Sequence, residues 1–132
     1  MDRRVAAAAS AEVASVLVVD DCETSLLFQE YALQGLCRVV KARDGLEALR
    51  LVEGQRIDLV LLDLGLPGVD GLEVLRRMRA RDPSGDTPVV VVSTQGAIET
   101  RELARRSGCS EYLAKPVSFG ELVRVVRRHL RR

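Results

Sequence analysis

The sequence predicts an α/β fold in which helices cover both faces of a five-stranded parallel sheet. After about residue 15, segments that favour strands alternate five times with segments that favour helices, and this alternation is typical of parallel sheets. Two strand segments, 57–62 and 88–93, are almost continuously apolar, as strands buried on both faces should be. The length of 132 residues corresponds to one domain.

The element boundaries follow from the apolar runs and from local start signals. The strands are predicted at 16–20, 37–41, 57–62, 88–93 and 111–114, and the helices at 23–35, 45–53, 71–81, 97–107 and 119–131. Asp44, Asp70 and Ser118 each precede a glutamate by three residues, which is the spacing of a helix capping box. Each is therefore predicted to cap the helix that follows it.

The last two predicted helices differ in surface. The fourth has only Ile98 and Leu103 as large apolar residues, so we expect it to bury little and to move readily. The fifth has an apolar stripe that includes His129, which we expect to pack or to favour the helix dipole without an acidic partner. The other side of this helix is basic, and it is either a solvated face or a docking surface for an acidic partner. Its residues are Arg124, Arg127, Arg128, Arg131 and Arg132.

Residues 1–14 are predicted to form a flexible or briefly helical extension ahead of a single domain over 15–132. The extension is rich in alanine, and Glu12 interrupts it, so a signal peptide is not favoured. No apolar run approaches the length of a membrane span. The three cysteines are widely spaced and form no CxxC pair, which indicates reduced thiols and a cytoplasmic protein.

Acidic residues close two of the predicted strands. Asp20 and Asp21 follow the first apolar run, and Asp63 follows the third. Parallel strands that end at one edge would bring these three carboxylates together. Like charges about 4 Å apart repel by roughly 4 kcal/mol at an effective dielectric constant near 20. Such a cluster therefore needs a cation or a shared proton.

Two further strands end in groups that suit a phosphoryl ligand. Ser93 closes the fourth strand with a hydroxyl, and Lys115 closes the fifth with a compact positive charge. Ligands of open parallel sheets bind beyond the carboxyl ends of the strands. Mg²⁺ suits the carboxylates because it is usually held by one or two of them together with water and phosphate. The sequence thus indicates a site for Mg²⁺ and a phosphoryl group.

Four blocks of sequence resemble the receiver domain of bacterial two-component response regulators, in its single-domain, chemotaxis-receiver-like form. They are Asp20-Asp21 after the first strand, DLGLPGVDG at 63–71, PVVVVS at 88–93 and GCSEYLAKP at 108–116. Each block is moderately specific, and four in order at the right spacing are strongly specific. The resemblance runs from about residue 15 to the end, and it implies a flavodoxin-like doubly wound sheet with strand order 2-1-3-4-5.

The resemblance implies roles for the acidic residues. Asp63 would accept a phosphoryl group from a sensor histidine kinase or a phosphotransfer protein. Asp21 and Asp63 would bind Mg²⁺ directly, with the carbonyl of Gly65 as a third protein ligand, and Asp20 would act largely through water. The protein would be a phosphoacceptor switch that catalyses only its own phosphorylation and dephosphorylation, rather than an ordinary enzyme.

The resemblance also implies how the signal would be read. Lys115 would pair with Asp63 and then with the phosphoryl group, Ser93 would bond a phosphoryl oxygen, and Tyr112 would turn inward behind it. The surface formed by the fourth helix, fifth strand and fifth helix would shift. The chain ends with the last receiver helix, so we expect its output to be docking to an unidentified downstream protein. Whether the phosphorylated form becomes a homodimer stays open.

Other functions fit the sequence less well than a receiver does. A Mg²⁺-dependent phosphatase with an Asp nucleophile would need a second Asp two residues further on, where this chain has Gly65. A pseudo-receiver scaffold would be expected to lack an acidic residue, Ser93 or Lys115, yet all are present. That scaffold and a phosphate-relay or sink intermediate without its own output remain the alternatives. Neither nucleic acid nor a membrane is an expected partner, since the net charge is +1 and no helix-turn-helix segment is visible.

Overall fold

The protein is described by a computed structural model covering residues 13–82, 85–94 and 96–130. The strands are β1 (Ser15–Val19), β2 (Arg38–Ala42), β3 (Leu59–Leu62), β4 (Val89–Ser93) and β5 (Glu111–Ala114). The helices are α1 (Glu23–Ala32), α2 (Gly45–Gly54), α3 (Gly71–Arg81), α4 (Ile98–Arg106) and α5 (Phe119–Leu130). Most of the predicted N-terminal extension, residues 1–12, lies outside the described residues.

All four strand pairs are parallel, and the sheet order is β2-β1-β3-β4-β5. The predicted fold class and strand order are confirmed. Side chains alternate between the two faces of each strand, and this alternation divides the core into two layers. Val16 and Val18 pack in the layer under α1 and α5, whereas Leu17 and Val19 pack in the layer under α2 and α3.

Two predicted boundaries differ from the structure by two or more residues, for identifiable reasons. β3 begins at Leu59 rather than at 57. The Asp58 amide donates to the Ser15 carbonyl at 2.8 Å, but the Ser15 amide donates to the Asp58 carboxylate, also at 2.8 Å, rather than to a backbone carbonyl, so the regular ladder begins one residue later. α1 ends at Ala32 rather than at 35, because Gly35 has a φ of 85°, a left-handed conformation that turns the chain toward β2.

The three predicted helix caps are present. The side chains of Asp44 and Asp70 accept hydrogen bonds from the amides three residues on, at 2.8 and 3.0 Å. The hydroxyl of Ser118 accepts from the Glu121 amide at 3.1 Å. Each cap satisfies an amide that the helix itself leaves unpaired, and together they define where α2, α3 and α5 begin.

α4 is held as loosely as its composition predicts. Only Ala104 of this helix is buried, and Ile98 is 82% exposed. No side chain caps its first turn.

Among the described residues, no helix is long and apolar enough to cross a membrane.

Gly71 allows the loop after β3 to pack closely on the start of α3. Its amide donates to the Leu64 carbonyl at 3.0 Å, and a Cβ atom at position 71 would lie 2.5 Å from the Leu64 Cα atom. A side chain there would displace backbone rather than a flexible group. Gly71 therefore positions the segment that carries Asp63.

We expect Gly71→Ala to lower the free energy of unfolding by about 1–3 kcal/mol, because the added methyl group overpacks against backbone. Gly54→Ala is the matched control, since an added Cβ meets nothing within 4 Å there and alanine favours a helix by up to about 1 kcal/mol. Urea denaturation of both variants measures the difference. Equal effects of the two substitutions would contradict the close-approach argument.

Candidate functional site

Three carboxylates meet at the carboxyl edge of the sheet. Asp20, Asp21 and Asp63 each offer an oxygen, and these oxygens lie within 4.8 Å of one another. The parallel register places Val19 beside Leu62, so the residues that follow these two strand ends are neighbours. The Asp63 amide also donates to the Val19 carbonyl at 3.0 Å. The predicted cluster is present, and its place follows from the strand pairing.

The three carboxylates differ in exposure. Asp20 is buried, with 1% of its surface exposed, and the side chain of Asp63 is 13% exposed. Asp21 faces solvent. A buried carboxylate needs compensation from neighbours, whereas an exposed one can bind a cation that arrives from solution.

Lys115 supplies the compensating charge. Its Nζ atom lies 2.6 Å from Oδ2 of Asp20 and 3.2 Å from Oδ2 of Asp63. The Lys115 backbone is held at the end of β5, where its amide donates to the Ser93 carbonyl at 2.9 Å. The ammonium group thus joins the ends of β1 and β3 to the ends of β4 and β5.

Asp20 accepts two further hydrogen bonds, from residues close to it in sequence. The Ser25 hydroxyl donates to Oδ2 at 2.6 Å, and the Cys22 amide donates to Oδ1 at 3.0 Å. Ser25 in turn accepts from Nε2 of Gln29, through its hydroxyl at 3.2 Å and its carbonyl at 3.3 Å. The sequence analysis missed Ser25, although a hydroxyl one helical turn after an acidic strand end is a usable signal.

These contacts shift two pKa values in opposite senses. Burial by itself raises the pKa of Asp20, but the hydrogen bonds from Lys115, Ser25 and Cys22 outweigh it, so the pKa lies below its usual value. Burial lowers the pKa of Lys115, but the two carboxylates outweigh it, and the pKa lies above its usual value. Both groups are therefore charged near neutral pH.

The segment after Asp63 holds its carboxylate in place. The Gly65 amide donates to Oδ1 of Asp63 at 3.1 Å, so this carboxylate is bound on one oxygen by backbone and on the other by Lys115. Gly65 has no side chain to cover the site. The open approach agrees with the partial exposure of Asp63.

Ser93 and Tyr112 lie on neighbouring strands behind the acidic cluster. Ser93 ends β4 and is 1% exposed, and Tyr112 on β5 pairs in register with Val91 on β4. The Tyr112 ring packs with Leu64 and Ala104, and its hydroxyl is buried. Tyr112 therefore already points inward.

Tyr112 has two polar neighbours. Its hydroxyl makes no hydrogen bond of ordinary geometry to the residues that the structure describes, although the Ser93 hydroxyl is near enough to lower its pKa. The Arg101 guanidinium lies 4.8 Å from the ring centroid and also lowers the pKa, but burial is the larger effect and raises it overall.

His129 has the acidic partner that the sequence analysis did not expect. Its Nε2 atom lies 2.8 Å from Oε1 of Glu111 on β5, and Arg128 donates to the other oxygen of that carboxylate at 2.6 Å. The prediction was wrong because it considered neighbours within α5 only. Arg131 and Arg132 lie outside the described residues.

Residues 16–127 match the family model of the response regulator receiver domain. The chain belongs to this family. Receivers of two-component systems are phosphoacceptor switches rather than classical enzymes, and this receiver has the acidic cluster that such a site requires.

Two named relatives and one solved structure support membership of this family. The polar-differentiation response regulator DivK of Brucella anthropi is 33% identical over 117 residues, covering 88% of this chain and 95% of DivK. The transcriptional regulatory protein PrrA of Mycobacterium tuberculosis is 39% identical over 118 residues, but this chain, 89% of which is covered, spans only 50% of PrrA. The BeF3-activated DrrB receiver domain superposes with a TM-score of 0.82 at 28% identity, covering 91% of this chain and 99% of that one.

The depressed pKa of Asp20 predicts an acid-sensitive contribution to stability. The unfolded-state pKa of an aspartate is near 4, so the stabilisation is complete above about pH 5 and is lost as pH falls through the lower folded-state pKa. We expect the unfolding free energy of the parent to fall relative to that of Asp20→Asn as pH decreases through that range. Both free energies are measured with urea in EDTA. Acidic pairs outside the cluster are common to both proteins and cancel, so the change reports Asp20 together with Asp63, which shares Lys115. A difference that stays constant from pH 6 to pH 2.5 would contradict the assignment.

Proposed function

We propose that this receiver is switched when Asp63 accepts a phosphoryl group from a phosphohistidine on a sensor kinase or a phosphotransfer protein. An Asp63 carboxylate oxygen attacks phosphorus, the bond from phosphorus to the imidazole nitrogen breaks, and the imidazole leaves. The proposal is supported chiefly by the position of Lys115, whose ammonium contacts Asp63 and Asp20. Phosphoryl transfer depends mainly on positioning and charge neutralisation.

The donor set fits a hard divalent cation. Three carboxylates can each direct an oxygen to one point, and oxygen ligands are what Mg²⁺ prefers. Asp21 and Asp63 would bind the ion directly with the Gly65 carbonyl, while Asp20, already bonded to Lys115 and Ser25, would act through water. Bound Mg²⁺ would neutralise negative charge that builds on the phosphoryl oxygens.

The residues behind Asp63 would respond to the new group. Lys115 would transfer its contact from the Asp63 carboxylate to a phosphoryl oxygen, and the Ser93 hydroxyl would donate to another. Tyr112 would stay inward behind Ser93. Because α4 buries only Ala104, little packing opposes a shift of the surface formed by α4, β5 and α5.

That surface would bind the downstream target. The basic face of α5 includes Arg124 and Arg127, which are exposed, so an acidic protein is the partner that its charge favours.

We place the protein in the cytoplasm, where sensor kinases present their phosphohistidines. Dimerisation of the phosphorylated form is a second use that the same surface would support.

The acceptor assignment is tested by intact mass after incubation with Mg²⁺ and acetyl phosphate. We expect the parent to gain one phosphoryl group, and we expect no gain for Asp63→Asn or after EDTA treatment. Binding of beryllium fluoride, measured by a shift in melting temperature, is the companion assay for a short-lived adduct. Absence of both the adduct and beryllium fluoride binding in a folded parent would defeat the proposal.

Removing the Lys115 charge should change metal affinity as well as stability. We expect Lys115→Met to bind Mg²⁺ more tightly, because the cluster becomes more negative, and to lose up to about 3 kcal/mol of metal-free stability, because Asp20 is left buried and unpaired. Titration calorimetry and urea denaturation in EDTA measure the two effects.

Lys41→Met is the matched control for this test, since Lys41 is the other lysine and forms a partly exposed pair with Glu30. A pair that solvent reaches in this way contributes about 0–1 kcal/mol. Weaker or unchanged Mg²⁺ binding by Lys115→Met would show that the ammonium and the metal do not share the cluster.

A further inference from the structure

Arg101 covers the face of Tyr112 that the core leaves open. The guanidinium carbon lies 4.8 Å from the ring centroid, within the range of a cation–π contact. The rest of the ring packs with Leu64, Val91 and Ala104. Tyr112 is thus packed against buried residues, one of which is Ala104 of α4, and is also contacted by the exposed Arg101 side chain of the same helix.

The guanidinium of Arg101 is available for this contact because it has no competing carboxylate. Among the described residues, Arg101 forms no ion pair, whereas Arg105 and Arg106 on the same helix both pair with Glu102. The three arginines therefore differ in environment although they share a helix. Arg101 alone is directed at the ring.

The contact joins the most loosely held helix to a residue beside the site. α4 buries only Ala104, so the contact from Arg101 to Tyr112 adds to the packing of Ala104 in attaching α4 to β5. The Tyr112 hydroxyl is buried near the Ser93 hydroxyl, and Ser93 ends the strand next to Lys115. A change in the position of Tyr112 would therefore affect both Ser93 at the site and α4 at the surface.

We propose that Arg101 is a positioning residue that holds Tyr112 inward before any phosphoryl group is present, and so biases this receiver toward its switched conformation. The inference rests on the proposed function for its consequence at Asp63, but the contact itself does not depend on it. A residue that stabilises one of two states raises the affinity of every ligand that prefers that state. Arg101 should thus strengthen binding of a phosphoryl group or its mimic.

The expected effect of removing the Arg101 contact is modest. An exposed cation–π contact favours the inward state about two- to fivefold. Arg101→Ala should therefore reduce the ratio of inward to outward Tyr112 by that factor. It should reduce the apparent affinity for beryllium fluoride in the presence of Mg²⁺ by at most the same factor, because the affinity follows the fraction of protein with Tyr112 inward.

The position of Tyr112 can be read directly by fluorine NMR of protein made with 3-fluorotyrosine. The chain has two tyrosines, and Tyr31, which is 68% exposed, supplies a reference for an exposed ring. We expect the Tyr112 resonance to move toward the exposed reference in Arg101→Ala and in Arg101→Gln, and to be partly restored in Arg101→Lys. Arg105→Ala, which alters an arginine that pairs with Glu102, should leave it unchanged.

A double-mutant cycle separates action through Tyr112 from a general effect on α4. In the Tyr112→Leu background, Arg101→Ala should no longer change the affinity for beryllium fluoride. An unchanged Tyr112 resonance in Arg101→Ala and Arg101→Gln, or an equal loss of affinity with and without Tyr112, would overturn the inference. Failure of the parent to bind beryllium fluoride would instead defeat the proposed function, and the fluorine spectra would still decide whether Arg101 holds Tyr112.

Discussion

The ion pairs of Lys115 are the interaction on which the rest of the site depends. Parallel pairing brings Asp20 and Asp63 together whether or not a metal is present, and like charges about 4 Å apart repel by roughly 4 kcal/mol at an effective dielectric constant near 20. The ammonium group offsets that repulsion with contacts at 2.6 and 3.2 Å. It directly follows the fifth strand, so this part of the stabilisation of the two acidic strand ends requires the whole sheet to be assembled.

The same structure combines a firmly held site with a loosely held surface. The strands that carry the acidic residues are buried throughout, and Gly71 packs the following loop against backbone. α4 instead buries one alanine and begins without a side-chain cap. A change in free energy at the site can therefore shift the position of α4 more easily than that of β1 or β3.

The sequence predicted those features that depend on local pattern and on strand ends. Alternating segments gave the sheet, capping boxes gave three helix starts, and strand ends gave the acidic cluster with Lys115. It did not predict the contacts of Ser25 with Asp20, Arg101 with Tyr112 or Glu111 with His129. These depend on side-chain rotamers and, for the last two, on how a helix lies against the neighbouring strand, which residue spacing within one element does not encode.

β5 connects the site to both of the helices that flank it. Successive side chains of a strand point to opposite faces, so Glu111 reaches α5 through His129 and Arg128, and Tyr112 reaches α4 through Arg101. Lys115 follows the same strand directly. A new charge that draws Lys115 away from Asp63 would pull on a four-residue segment whose other side chains bind both helices. Under the proposed function, the shortness of β5 would make such coupling effective, because few backbone bonds lie between the ammonium group and the surface.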